Sequence, residues 1–201
     1  MKVTGMEINA WKLTDANGRT HGGCQWGEGV THTAPGHGPL CSAVWLHFYR
    51  HPVIGLFLNP AHTRFDAATM RLWECRYAGV RFDDGMLKSG STELTTVREI
   101  ECPRLKAEQR AYFAIACARS LLDVSPEWHA WALGWLSGRD RTANAAYAAK
   151  ATCAAAYVNA NAANAAHAAN AANAAYAAAH ADVNIWRCAE QAMTWVDPLG
   201  N

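Results

Sequence analysis

The stretch Ala143–Ala181, ANAAYAAKATCAAAYVNANAANAAHAANAANAAYAAAHA, divides the chain into what must fold before it and what must close after it. Of its 39 residues 24 are alanine, and Lys150 is its only fully charged residue. Alanine has the best helix propensity because it loses no side-chain entropy on ordering. Neither Gly nor Pro occurs between Arg141 and Asp197, so the stretch reads as one long helix. Asn161, Asn164, His167, Asn170, Asn173 and Tyr176 recur at every third position. Each step of three falls about 60° short of a full turn, so the polar stripe winds around the helix and marks no fixed wet face. The average repeat of about 3.3 residues also misses the 3.5 of a coiled coil. Three readings stay open: a low-complexity expansion, a helix that packs closely through small side chains, and a flat functional surface such as ice binding, which the winding stripe disfavours.

Working outward, the 201 residues suit one compact body with a helical extension. The expected fold class is α+β. A small β-rich domain with a short helix occupies 1–102, a helical hairpin with a tryptophan stripe 103–142, and the alanine-rich helix with a closing amphipathic helix 143–201. A net charge of +1 makes no electrostatic case for nucleic acid. The opening MKVTGMEINAWKL lacks the apolar run of a signal peptide, and no segment is a membrane span. Seven cysteines in no regular framework read as free thiols in a reducing compartment, so the expected location is the cytoplasm.

In the first domain, Ile8, Ala10 and Lys12 alternate with Asn9, Trp11 and Leu13 as in a strand, and Asp15-Ala16-Asn17-Gly18 supplies a turn. The Gly- and Pro-rich segment His21–Leu40 reads as loop with a short strand at Val30–Thr33. Ala43–Tyr49 is a buried apolar run. Pro52 opens a short helix over Val53–Leu58, which Asn59-Pro60 is expected to end. Leu72–Tyr77, Val80–Phe82 and Leu94–Glu101 read as strands, with a turn at Asp83–Gly85. Beyond residue 104, Ala111, Ile115, Ala118 and Leu122 share one helical face. Ser125-Pro126-Glu127 starts the next helix, in which Trp128, Trp131, Ala132 and Trp135 form a core stripe. Gly138 stops it. Ile185, Cys188, Ala189, Ala192 and Val196 form a last apolar face, for which the Trp128–Trp135 helix is the expected partner.

The densest ionisable cluster lies within 21–62. His21-x2-Cys24 and His37-x3-Cys41 have spacings that suit zinc, with twelve residues between the pairs. The order differs from the usual Cys pair followed by His pair, and solvent-facing or core histidines are the plain alternative. Cys41 beside Ser42, with His47 close in sequence, is a further but thin nucleophile arrangement. No GxGxxG, Walker loop or HExxH occurs, so no cofactor is expected by motif. The helical part, adhesive in composition, is the expected route to a protein partner or to self-association.

Several separated runs carry a resemblance: Val30-Thr-His-Thr-Ala-Pro-Gly, Leu40-Cys-Ser-Ala-Val-Trp-Leu-His-Phe-Tyr, Leu58-Asn-Pro-Ala-His, Leu72-Trp-Glu, Leu87-Lys-Ser-Gly-Ser-Thr-Glu-Leu-Thr-Thr-Val-Arg-Glu and Trp135-Leu-Ser-Gly-Arg-Asp-Arg. The chain resembles a group of uncharacterised phage and actinobacterial proteins with alanine-rich tails, over roughly residues 11–142. That resemblance implies a phage or mobile-element context and brings no activity with it. The order of a Leu-His-Phe-Tyr strand, a small helix, a Leu-Trp-Glu strand and a Thr-rich strand ending in Glu is also similar to ADP-ribosyltransferase folds. That likeness implies an NAD-using reaction in which Glu93 or Glu99 orients the nicotinamide ribose, with His47 or Tyr49 near the cofactor.

Overall fold

A computed structural model describes residues 10–119, 126–142 and 183–200. The stretch 143–181, the N-cap Ser125 and Leu122 lie outside the described residues. The fold is α+β, with an antiparallel sheet of five strands followed by helices. The chain forms two compact units, Met1–Arg104 and Leu105–Asn201.

The first unit comprises β1 (Ala10–Thr14), β2 (Thr31–Thr33), β3 (Leu46–Phe48), α1 (Pro52–His62), β4 (Arg71–Asp84) and β5 (Lys88–Ile100). The sheet order is β1-β4-β5-β2, and β3 also pairs with β5. The turn after β1 closes as the Asp-Ala-Asn-Gly run predicts. Asp15 Oδ1 accepts from the amides of Asn17 at 2.8 Å and Arg19 at 2.7 Å, and Gly18 adopts φ 78°. On one face of the sheet Ala10, Trp26, Phe48, Trp73, Cys75 and Leu94 form a buried cluster. Helix α1 packs against β1 and buries Ile54, Leu56, Phe57 and Leu58 completely.

Two expectations in this unit are corrected. Helix α1 does not stop at Asn59-Pro60 but runs on to His62. Pro60 forgoes one amide donor, yet Asn59 itself terminates the helix a turn later. Its buried side chain donates to Phe65 O at 2.8 Å and accepts from Phe65 N at 2.9 Å, while its carbonyl accepts from the amides of Thr63 and Arg64. The second correction concerns the hairpin. Leu72–Tyr77 and Val80–Phe82 are parts of one 14-residue strand, and β5 begins at Lys88, not Leu94. A bulge between Ala78 and Arg81 keeps β4 continuous. Gly79 carries it at φ 74°, and a Cβ there would lie 2.0 Å from Thr92 Oγ1. Gly90, a poor strand former, is required because a Cβ would meet Leu40 at 2.7 Å and the Cβ of Trp45 at 2.9 Å.

The second unit comprises α2 (Ala107–Arg119), α3 (Pro126–Leu136) and α4 (Ile185–Thr194). Gly138, at φ 73°, ends α3, and the amides of Arg139 and Asp140 fold back onto Gly134 O. Trp128, Trp131, Ala132 and Trp135 are buried, as the stripe predicts. The face of α4 is corrected on two points. Its main partner is α2, through which Gln109 Nε2 reaches Met193 O at 3.0 Å. Val196 lies outside the face and is 81% exposed, because the helix ends at Thr194 and Trp195 is already extended.

Asp197 fastens the end of the chain. Its two carboxylate oxygens accept from the Arg141 guanidinium at 2.8 Å each, and Arg141 Nε donates to Trp135 O at 3.1 Å. The guanidinium also lies 4.4 Å above the Trp135 ring. Asp197→Ala would leave this half-buried cation without its forked partner. The expected loss is about 2 kcal/mol. It should appear as a lower urea midpoint at unchanged m, and an unshifted midpoint would refute it.

Candidate functional site

The four residues expected to hold zinc do not assemble. His21 sits exposed at the start of a 3-10 turn, His37 is exposed in a loop, and Cys24 packs against the sheet cluster of Ala10, Trp26 and Phe48. Among the described residues no three His, Cys, Asp or Glu side chains form a group that could hold a metal ion. His32, in the same segment, is engaged elsewhere. Its Nε2 donates to Gln25 O at 2.8 Å, and its ring meets Trp26 edge-on at 4.5 Å.

The four residues implied for an NAD site also separate. Glu99, near the end of β5, is exposed and paired with Arg71. The hydrogen bond from Arg71 holds its carboxyl below the usual range, with the Arg71 charge adding to it. A charge-stabilising glutamate facing a cleft would be buried and raised. Glu93 is exposed and lies opposite Thr33 on one side and Ala78 on the other. Tyr49 is buried beside α1, where a Cβ on Gly55 would come within 2.7 Å of its ring. Burial raises its phenol pKa.

Instead, the strands gather a different polar corner. His47, on β3, pairs with Gly90 of β5, and its Nε2 donates to Leu40 O. Next to that carbonyl, the exposed Cys41 accepts from Lys88 Nζ at 3.0 Å. Tyr49 and His62 stack with ring centroids 6.0 Å apart and share a hydrogen bond at 3.3 Å. Burial pushes the His62 imidazole down to about 4, with the Lys88 charge adding to it and Asp84 opposing. Burial also lowers His47, against its bond to Leu40 and with the charges of Lys88 and Lys12. Burial thus favours the neutral form of both rings, and Lys88 and Lys12 bring positive charge to the corner. Cys41 meets Lys88 here, not the nearby His47, whose Nε2 is committed to Leu40.

A second feature escaped the reading of sites. Lys12 is 6% exposed, donates to His47 O at 2.7 Å and lies 4.3 Å above the Trp26 ring. Its signal was present: it shares the inward side of the strand alternation with Ala10. Lysine is seldom buried without a carboxylate partner. Burial brings its pKa to about 8, with Cys75 and Cys24 opposing. Closed from solvent by Trp26 and the sheet, this amine presents no face to a substrate.

Among the described residues no helix is long and apolar enough to cross a membrane. Comparison with protein families, with curated proteins and with solved structures finds no match.

Proposed function

We propose that the chain is a non-catalytic accessory protein of phage or mobile-element origin that acts in the host cytoplasm by binding a protein partner. One observation carries this reading. Strand β4 is paired with β1 only over Arg71–Cys75, whereas β5 follows it to Asp84. From Arg76 outward, one edge of β4 has no strand beside it among the described residues. On that length Val80 is 60% and Phe82 49% exposed. Exposed apolar side chains on this outer length of the hairpin are a docking site for a protein partner. The phage context comes from the sequence resemblance. Exposed Leu133 and Leu199 in the second unit support a further contribution from the helical part. Less supports an NAD-using alternative, since Glu99 is tied to Arg71 at the surface and Glu93 is exposed.

The experiment compares three proteins: wild type, Val80→Asp/Phe82→Asp, and a chain lacking 143–181. Each is used to capture partners from host lysate and is incubated in parallel with NAD. The expected result is a stoichiometric partner on the wild type, lost from the double variant at unchanged melting temperature, with no nicotinamide released. Nicotinamide release abolished by Glu99→Gln would overturn the reading in favour of the transferase. Capture by the double variant but not by the deletion would move the binding surface to the helical part.

A further inference from the structure

The helical unit contains a cavity of about 280 Å³, lined by Tyr112, Ala116 and Arg119 of α2, His129 and Leu136 of α3, and Gln191 of α4. Its polar lining is unusual for a contact between helices. The exposed Arg119 guanidinium and Gln191 amide, and the half-buried Tyr112 hydroxyl and His129 ring, have no hydrogen-bond or ion-pair partner among the described residues and stand at the mouth of this open pocket. These four groups come from three helices and are chiefly donors. Among the described residues no carboxylate lines the pocket.

From this convergence we propose that the cavity binds a small monocarboxylate with an apolar body, an aromatic or branched-chain acid. The planar fork of Arg119 matches a carboxylate through two parallel N–H bonds. Tyr112 and Gln191 can donate to the remaining lone pairs. Ala116, Leu136 and the ring of Tyr112, which itself rests 5.3 Å from Trp195, supply the apolar wall. The volume is at the small end of ligand sites, which run from about 300 Å³ upward. That suits a single ring. The inference does not depend on the partner surface of β4, which lies in the other unit.

The test is calorimetric titration of the full chain with benzoate, its neutral analogue benzamide, and inorganic phosphate. Saturable benzoate binding at millimolar concentration or below is expected, with benzamide at least tenfold weaker. Arg119→Gln should weaken benzoate about tenfold or more and leave benzamide unchanged. Tyr112→Phe should weaken it severalfold. Arg119 is solvent-exposed, so its replacement should leave the melting temperature unaltered, and each titration is accompanied by that check. Equal affinity for benzoate and benzamide, wild-type affinity in Arg119→Gln, or no heat with benzoate would each overturn the proposal. Tighter binding of phosphate than of benzoate would overturn the carboxylate assignment.

Discussion

Phe48→Ala is expected to destabilise the N-terminal unit by about 3–5 kcal/mol, the largest loss of any single change considered. Phe48 is the last of the three residues of β3, the only one of them fully buried, and it is 1% exposed. Its ring stacks on Tyr77 with centroids 4.9 Å apart and planes 16° from parallel. Around it lie Ala10, Trp26, Trp73, Cys75 and Leu94. Truncation removes the transfer free energy of the ring and leaves a cavity whose walls belong to three paired strands and cannot collapse. The stacked pair is lost as well, worth up to about 1 kcal/mol beyond area. Phe82→Ala is the matched control, because that ring is 49% exposed, and its cost should be well below that of Phe48→Ala. Urea titration of the full chain, followed by circular dichroism and tryptophan fluorescence, measures both. A loss under about 1 kcal/mol for Phe48→Ala would show that the sheet repacks, and would contradict a core centred on β3.

How far such a core can be read from sequence depends on how local its causes are. The α+β class was legible because strand alternation and helical spacing repeat within a few residues, as in Ala10–Thr14 and in the tryptophan stripe of α3. The first half of β5 was not legible. Lys88–Glu93 has the composition of a loop, and only the continuing β4 and the pairing with β3 make it strand. Pro60 disfavours a helical Asn59 and so predicts a stop there, yet the helix ends a turn later through Asn59, whose side chain reaches six residues ahead to Phe65. The contacts of the candidate site residues were not legible for the same reason. Ligand spacing proposed His37 beside Cys41, whereas the group that reaches the thiol is Lys88, 47 residues away. The cavity of the helical unit needs side chains from three helices, and no spacing along one of them announces it.

Lys12→Met is expected to stabilise the protein at pH 7 by about 3 kcal/mol, and the gain should fade as the pH approaches that of a free lysine. The ammonium is 6% exposed. Its compensation is one hydrogen bond to His47 O and the face of Trp26, neither of which carries a full negative charge. Burial therefore lowers its pKa from 10.5 to about 8. Because the folded pKa lies below the unfolded one, the folded state binds fewer protons between these two values. Stability of the wild type then rises with pH across that window, and below about pH 8 the cost of burying the charge is present in full. Methionine fills the same space, keeps the apolar stem and has nothing to titrate. The advantage of the variant should thus be constant from about pH 6 to pH 8 and shrink toward zero near pH 10.5. Other lysines, tyrosines and cysteines titrate in the same range, so the quantity to read is the difference between the two proteins at each pH. A variant less stable than the wild type at pH 7 would mean that the amine is wanted in the core as a cation. A constant difference up to pH 11 would mean that Lys12 titrates in the fold as it does in the unfolded chain.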